Sequence, residues 1–189
     1  MKTILVTGGA GYIGSVLTGQ LLKHGYKVNV LDNFSAGRNG LRQYLVNSDI
    51  QLFDGDIRDE ILLRKSLISV NTVVHLAGIS DGRAGKLNPA KTKEINSGPF
   101  QKLIQLCTES GIKKFLFAST FGVYGKYQGV PFTENMSLNP EDPYSVTKLI
   151  CEEILHSDSS KINAVALRIA ICYGNSPGMR WDFLVNQLT

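Results

Sequence analysis

Cysteine is scarce in this chain: three in 189 residues, an odd number, at Cys107, Cys151 and Cys172. A small disulfide scaffold needs more of them, in pairs. Their wide spacing in apolar-periodic segments predicts buried free thiols in a reducing cytoplasm. Long apolar runs are missing too. No window approaches the roughly 18 consecutive apolar residues that span a membrane. The opening Met1-Lys2-Thr3-Ile4-Leu5-Val6-Thr7-Gly8-Gly9 has too short an apolar run for a secretory signal. No block of one charge exists either. Lys and Arg number 20 and Asp and Glu 16, for a net charge of +4. A dedicated nucleic-acid binder would carry a basic stripe, so nucleic acid is not an expected partner. Repeats and low-complexity segments are absent. With 43% apolar and 19% charged residues, disorder is excluded as the main state.

What is there is an alternation of short apolar runs with longer amphipathic stretches. Strands are predicted at Lys2–Thr7, Lys27–Leu31, Ile50–Phe53, Thr72–Leu76, Lys113–Ala118 and Ala164–Ile171. Helices are predicted at Tyr12–His24, weakly near Leu41–Val46, and at Asp59–Leu67, Lys91–Ser110 and Tyr144–His156, with another starting over Arg180–Leu188. Gly98 and Pro99 interrupt Lys91–Ser110, and the proline would end or kink that helix. Ser80–Asn88 and Gly122–Pro143 read as loops. Strands alternating with helices make βαβ units. The expected fold class is therefore α/β, a doubly wound parallel sheet of about six strands, with its ligand site at the strands' carboxyl ends.

Gly8, Gly11 and Gly14 lie between the first predicted strand and the first predicted helix. Gly8 allows a tight turn, Gly11 lets backbone approach a phosphate, and Gly14 permits close helix packing. Amides at the helix start then face a pyrophosphate. A glycine triplet alone could be a flexible loop; in this setting it reads as a dinucleotide site. Asp32 ends the second strand about 20 residues further on, where an acid bonds ribose hydroxyls and repels a 2′-phosphate. NAD is thus expected over NADP, although Arg38 stands near enough to accept such a phosphate. Asp56, after the third strand, could accept from the adenine amino group or be ordinary turn chemistry.

Tyr144 and Lys148 are four apart on one helix face. An ammonium beside a phenol favours the phenolate, which could then take a proton from a substrate hydroxyl. Ser119 and Thr120 follow the fifth strand, where a hydroxyl can orient a substrate oxygen or merely satisfy a turn. His75 reads as structural, and no metal-ligand spacing is visible.

Together these residues resemble the extended short-chain dehydrogenase/reductase family, in its sugar-nucleotide epimerase/dehydratase branch. The marks are Thr7-Gly8-Gly9-Ala10-Gly11-Tyr12-Ile13-Gly14, Leu31-Asp32-Asn33, Gly55-Asp56, His75-Leu76-Ala77-Gly78, Ser119-Thr120-Phe121-Gly122-Val123-Tyr124-Gly125, Tyr144-Ser145-Val146-Thr147-Lys148, and Leu167-Arg168 before Tyr173-Gly174. The resemblance puts the catalytic hydroxyl on Thr120, the base on Tyr144 and the lysine on Lys148. It puts cofactor contacts on Gly11, Tyr12, Ile13, Asp32, Asn33, Asp56, Ile57, Leu76, Ala77 and Gly78, with a nicotinamide-side asparagine at Asn96. It also implies a nucleotide-sugar substrate and a homodimer through Lys91–Ser110 and Tyr144–His156.

Two places depart from the family pattern. Pro99 and Phe100 replace a glycine and a threonine, which predicts a local helix distortion. Phe121 and Gly122 replace the Asp-Glu pair that dehydratases use to eliminate water. The expected activity is therefore a UDP-glucose 4-epimerase-like reaction, with transient hydride transfer through a keto sugar. A dehydrogenase or reductase that releases NADH, and a nucleotide-binding chain without turnover, are the alternatives. Family members run well beyond 300 residues, so the 189 residues read as the dinucleotide-binding portion of a longer enzyme.

Overall fold

In the computed structural model, residues 2–80, 82–126, 129–157, 162–182 and 184–188 are described. Six strands form one parallel sheet: β1 (Thr3–Thr7), β2 (Lys27–Asp32), β3 (Ile50–Asp54), β4 (Thr72–His75), β5 (Lys114–Thr120) and β6 (Asn163–Ile169). Their spatial order is β3-β2-β1-β4-β5-β6. Strand order reverses between β1 and β4, which places a ligand crevice outside the carboxyl ends of those two strands. Helices α1 (Tyr12–Lys23), α2 (Glu60–Ser66), α3 (Gly82–Leu87), α4 (Pro89–Asn96), α5 (Phe100–Glu109), α6 (Pro143–Ser157) and α7 (Leu184–Gln187) connect or follow them.

The sheet separates two apolar layers. On one side Phe100, Leu103, Ile104, Cys107, Cys151 and Leu155 meet Leu5, Leu31, Val73, Phe115 and Phe117. On the other, Leu17, Leu21, Leu41 and Tyr44 cover Ile4, Val6, Val28 and Val30. That second layer thins toward β6, where Val165 and Leu167 remain 48% and 44% exposed.

Several sequence expectations change. Ser80–Asn88 is not a loop throughout, because Gly82–Leu87 forms α3; Asp81 in that stretch lies outside the described residues. Gly85 explains the placement: its absent Cβ would stand 2.9 Å from the Tyr144 Cβ, so α3 packs closely on the start of α6. The single helix expected over Lys91–Ser110 is two, α4 and α5. A Cβ on Gly98 would meet the Glu94 carbonyl oxygen at 2.6 Å, and Pro99 has no N–H to continue the ladder. Asn88 caps α4 by accepting the Lys91 N–H, with Pro89 at the first helical position. The weak helix near Leu41–Val46 is a 3₁₀ segment, Asn39–Tyr44. The expected loop Gly122–Pro143 begins inside a 3₁₀ turn, Phe121–Tyr124, and its residues 127 and 128 lie outside the described residues. The helix expected over Arg180–Leu188 is only Leu184–Gln187, with Phe183 outside the described residues. Cys107 and Cys151 are buried, but Cys172 is exposed, because β6 ends at Ile169 and releases the chain before reaching it.

Candidate active site

The glycine loop bends out of β1 and enters α1. Gly8 sits at φ +73°, and a Cβ there would strike the Ala77 nitrogen at 2.7 Å. The turn is thus pressed against the chain leaving β4, directly onto Leu76 and Ala77. A Cβ on Gly14 would meet the Gly8 carbonyl oxygen at 2.1 Å, so close helix-to-loop packing excludes any side chain. Gly11, at the N-cap, brings no side chain to cap α1, and a Cβ there would meet only the Gly8 oxygen at 3.3 Å. A bare helix N-terminus of this kind suits a phosphate.

Asp32 closes β2 and braces the loop. Its carboxylate accepts from the Ala10 N–H at 2.9 Å and from the Phe34 N–H at 2.8 Å. Asn33 accepts the Ser35 N–H. Arg58 grips Asp56 through its guanidinium and its backbone N–H, which holds that carboxyl below its usual range. Ile57 is buried, so only its backbone could serve a ligand. Ile13 is 39% exposed at the loop's rim. Asn96 is buried: its amide accepts the Ile79 N–H and donates to the Ile79 carbonyl and the Thr147 hydroxyl. It braces the turn after Gly78.

A distant segment completes the loop. The Tyr12 hydroxyl donates to the Gly174 carbonyl at 2.7 Å, and the Ser176 hydroxyl donates to the Tyr12 carbonyl at 2.6 Å. The Gly178 N–H donates to the Ser15 hydroxyl at 3.0 Å. A Cβ on Gly178 would stand 2.6 Å from the Gly11 oxygen.

The second half of the site is built by α6 against β5. Asp142 caps the helix, accepting from the backbone and hydroxyl of Ser145, and Pro143 opens it. This fixes the first turn, which carries half-buried Tyr144. One turn on, Lys148 is only 5% exposed. Its Nζ donates to the Ala118 carbonyl at 2.8 Å and lies 4.8 Å from the Phe117 ring centre and 5.7 Å from that of Tyr144. Burial lowers the Lys148 pKa from 10.5 to about 8. Thr120 accepts the Gly122 N–H at 3.2 Å, which leaves its own hydroxyl hydrogen to donate. Gly122 lies tight under α6, since a Cβ there would meet the Ser145 Oγ at 2.3 Å. An open cavity of about 550 Å³ between α3 and the start of α6 is lined by Arg83, Lys86, Leu87 and Asp142.

Ser119 departs from its expectation as a substrate donor. It is buried and its hydroxyl donates to the Glu152 carboxylate, one β-strand step away from the open face. Sequence reasoning also missed Glu152 and the role of Arg168. Glu152 is 2% exposed, and Arg168 pairs with it at 2.8 Å and donates to the Tyr124 hydroxyl at 2.9 Å. The signal was present in the spacing: Glu152 repeats the four-residue step of Tyr144 and Lys148 on a face otherwise lined by Cys151 and Leu155. His75 is structural as read. It bonds the Thr7 hydroxyl at 2.7 Å, stacks on Phe117, and burial pushes its pKa down to about 3. Among the described residues no cluster of His, Cys, Asp and Glu could hold a metal, and no helix is long and apolar enough to cross a membrane.

Comparison with known proteins agrees with this geometry. UDP-glucose 4-epimerase of Halalkalibacterium halodurans is 36% identical over 181 residues, covering 94% of this chain and 53% of that protein. UDP-glucuronic acid 4-epimerase from Bacillus cereus, in complex with NAD, matches with a TM-score of 0.87 at 32% identity, over 98% of this chain and 61% of that one. The DesIV double mutant, a dTDP-glucose 4,6-dehydratase from Streptomyces venezuelae with NAD and DAU bound, gives 0.88 at 28% identity, over 97% and 60%. The chain spans about half the length of the curated relatives it matches. The family model described as NAD dependent epimerase/dehydratase matches residues 4–186, and the chain belongs to that family.

Proposed function

We propose that residues 1–189 form the dinucleotide-binding domain of an NAD-dependent nucleotide-sugar 4-epimerase and carry its proton-transfer groups. The observation that carries this reading is that the glycine loop after β1 and the group Thr120, Tyr144 and Lys148 by the end of β5 lie at the same, carboxyl end of one parallel sheet. The residues fit the cofactor. The first turn of α1 would hold the pyrophosphate, Asp32 the adenosine ribose, and Asp56 with the Ile57 backbone the adenine. Leu76, Ala77 and Gly78 would line the middle of the site, and Lys148 would hold the nicotinamide ribose. NAD, when bound, supplies the acceptor and donor of hydride.

The chain's own groups manage the proton. Tyr144, as phenolate beside the Lys148 ammonium, removes the proton from the sugar hydroxyl. Thr120 donates to the same oxygen and fixes its orientation as it becomes a carbonyl. After the keto sugar turns over to present its other face to the cofactor, Tyr144 returns the proton to the same oxygen. Arg83 and Lys86, on the wall of the adjoining cavity, suit the diphosphate of a nucleotide sugar. Dehydration by the family's acid pair is disfavoured. Phe121 has no acid–base capacity, and the Ser145 hydroxyl closes the space that an acid at Gly122 would need. We further infer from the scarce, unpaired cysteines a cytoplasmic setting, and from the resemblance a homodimer through α4, α5 and α6, the dimer to be checked by sedimentation.

The test is incubation with NAD and UDP-sugars. Interconversion of 4-epimers without growth of absorbance at 340 nm is expected, and Tyr144→Phe should lower the rate by about 10²-fold or more. Net NADH release would instead favour a dehydrogenase. NAD binding without turnover would favour a binding role for this chain.

A further inference from the structure

Asp32 is not the only carboxylate at the ribose end of the site. Asp32 and Asp54 are register partners in the β2–β3 ladder. Adjacent strands stand about 4.8 Å apart, and paired residues of a parallel ladder project from the same face. Two carboxylates therefore stand side by side at the end of β2 and β3, where the cofactor reading above would put the adenosine ribose. Arg38 is the cation best placed to receive a 2′-phosphate there. It is engaged elsewhere: its guanidinium pairs with Asp54, and its Cζ lies 4.0 Å over the Phe34 ring. Phe34 itself is held at φ 52°, a conformation that bulky residues rarely adopt, and its N–H is fastened to Asp32. The turn thus aims Phe34 at Arg38 and Arg38 at Asp54.

We propose that Asp54 is a cofactor-specificity residue, which selects NAD over NADP by neutralising Arg38 and adding a second negative charge beside the ribose. The Arg38–Asp54 pair is largely exposed, with side chains 62% and 56% accessible. Exposed pairs exchange freely, so the effect is one of net charge and not of a rigid latch. With Asp54 in place, Asp32, Asp54 and Arg38 leave the pocket net negative. Without it the pocket is neutral and the guanidinium can turn to a phosphate, for which its planar fork is well matched. Asp32 alone would oppose a 2′-phosphate, but one arginine would balance it.

This inference rests on the cofactor reading above, and one titration series separates the two. NAD and NADP are titrated by calorimetry into the wild-type chain, Asp54→Asn, Asp54→Ser, and Arg38→Gln/Asp54→Asn, with melting curves to confirm folding. Wild type should bind NAD much more tightly than NADP. Either Asp54 variant should shift the NADP-to-NAD affinity ratio toward NADP by about tenfold at low ionic strength, an order of magnitude set by Coulomb interaction with a phosphate carrying nearly two charges. The double variant should lose most of that gain, and about 1 M salt should shrink it. An unchanged ratio in folded Asp54 variants that still bind NAD overturns the inference alone, as does a gain of full size in the double variant. A wild-type chain that binds neither dinucleotide overturns the cofactor reading and this inference with it.

Discussion

Lys148 holds a cation where the fold would rather have none. Its burial depresses its pKa to about 8, so below that pH the folded chain carries a charge that burial opposes. The unfolded chain keeps its proton up to about 10.5, so stability rises with pH between about 8 and 10.5. Lys148→Met should accordingly stabilise the cofactor-free protein by about 1–2 kcal/mol at neutral pH while abolishing turnover, read by urea unfolding beside the epimerase assay. A less stable variant would contradict this cost. His75 works in the acid range. Its folded pKa of about 3 lies below the ordinary 6.5, with Lys148 adding to the effect of burial. The unfolded state therefore binds its proton first, and stability is lost as pH falls from about 6.5 toward 3. His75→Gln should flatten that part of the melting-temperature profile, and an unchanged slope would remove His75 from the account. Glu152 is the third case. Removing it strands Arg168 and Ser119, so Glu152→Ala should cost about 3–5 kcal/mol, whereas Glu152→Leu with Arg168→Met should recover much of the loss. Equal damage in the two proteins would refute a charge-pairing origin.

At the scale of elements, periodicity and punctuation made all six strands legible, together with α1, α2 and α6, because each has a clear apolar pattern and an identifiable start. Asp59 before α2 and Asp142-Pro143 before α6 are local signals, and the structure uses them as caps. Asp142→Ala should therefore weaken the start of α6 by about 1 kcal/mol in chemical unfolding. A loss near zero would mean that Pro143 and packing suffice. What local pattern did not show was α3. Gly82-Arg83-Ala84-Gly85-Lys86-Leu87 has poor helix propensity, and its packing against Tyr144 through Gly85 is a tertiary fact. The break between α4 and α5 was foreseen at Pro99, but its sharpness comes from Gly98 meeting Glu94. The candidate site was similarly half legible. Tyr144 and Lys148 share α6 as their spacing implies, while Glu152, Arg168 and the Gly174–Gly178 segment act through contacts that sequence distance hides. Ser119 shows the converse, a residue at the right place in the sequence whose hydroxyl is taken by a buried neighbour.

For the molecule as a whole, the uneven covering of the sheet has a physical consequence. Val165 and Leu167 sit on the less covered side of β6, paired in register with Leu116 and Ala118, at one edge of the sheet. An exposed apolar edge strand invites association. The isolated chain should self-associate as concentration rises in sedimentation velocity, and Val165→Thr with Leu167→Lys should reduce that tendency; identical behaviour would locate the sticky surface elsewhere. The seating of residues 174–178 on the glycine loop bears on how the molecule is made. Tyr12 and Gly174, joined by a hydrogen bond, are 162 positions apart. Closing so long a loop carries a large entropic cost, and contacts of this span form slowly. The glycine loop is encoded within the first 14 residues, yet its hydrogen bonds are complete only after the sheet has assembled beyond β6. Cofactor capture is then a late event in folding, a readout of the finished sheet and not a template for it. In pulse-labelled hydrogen exchange, the amides of β1 should gain protection before that of Gly178.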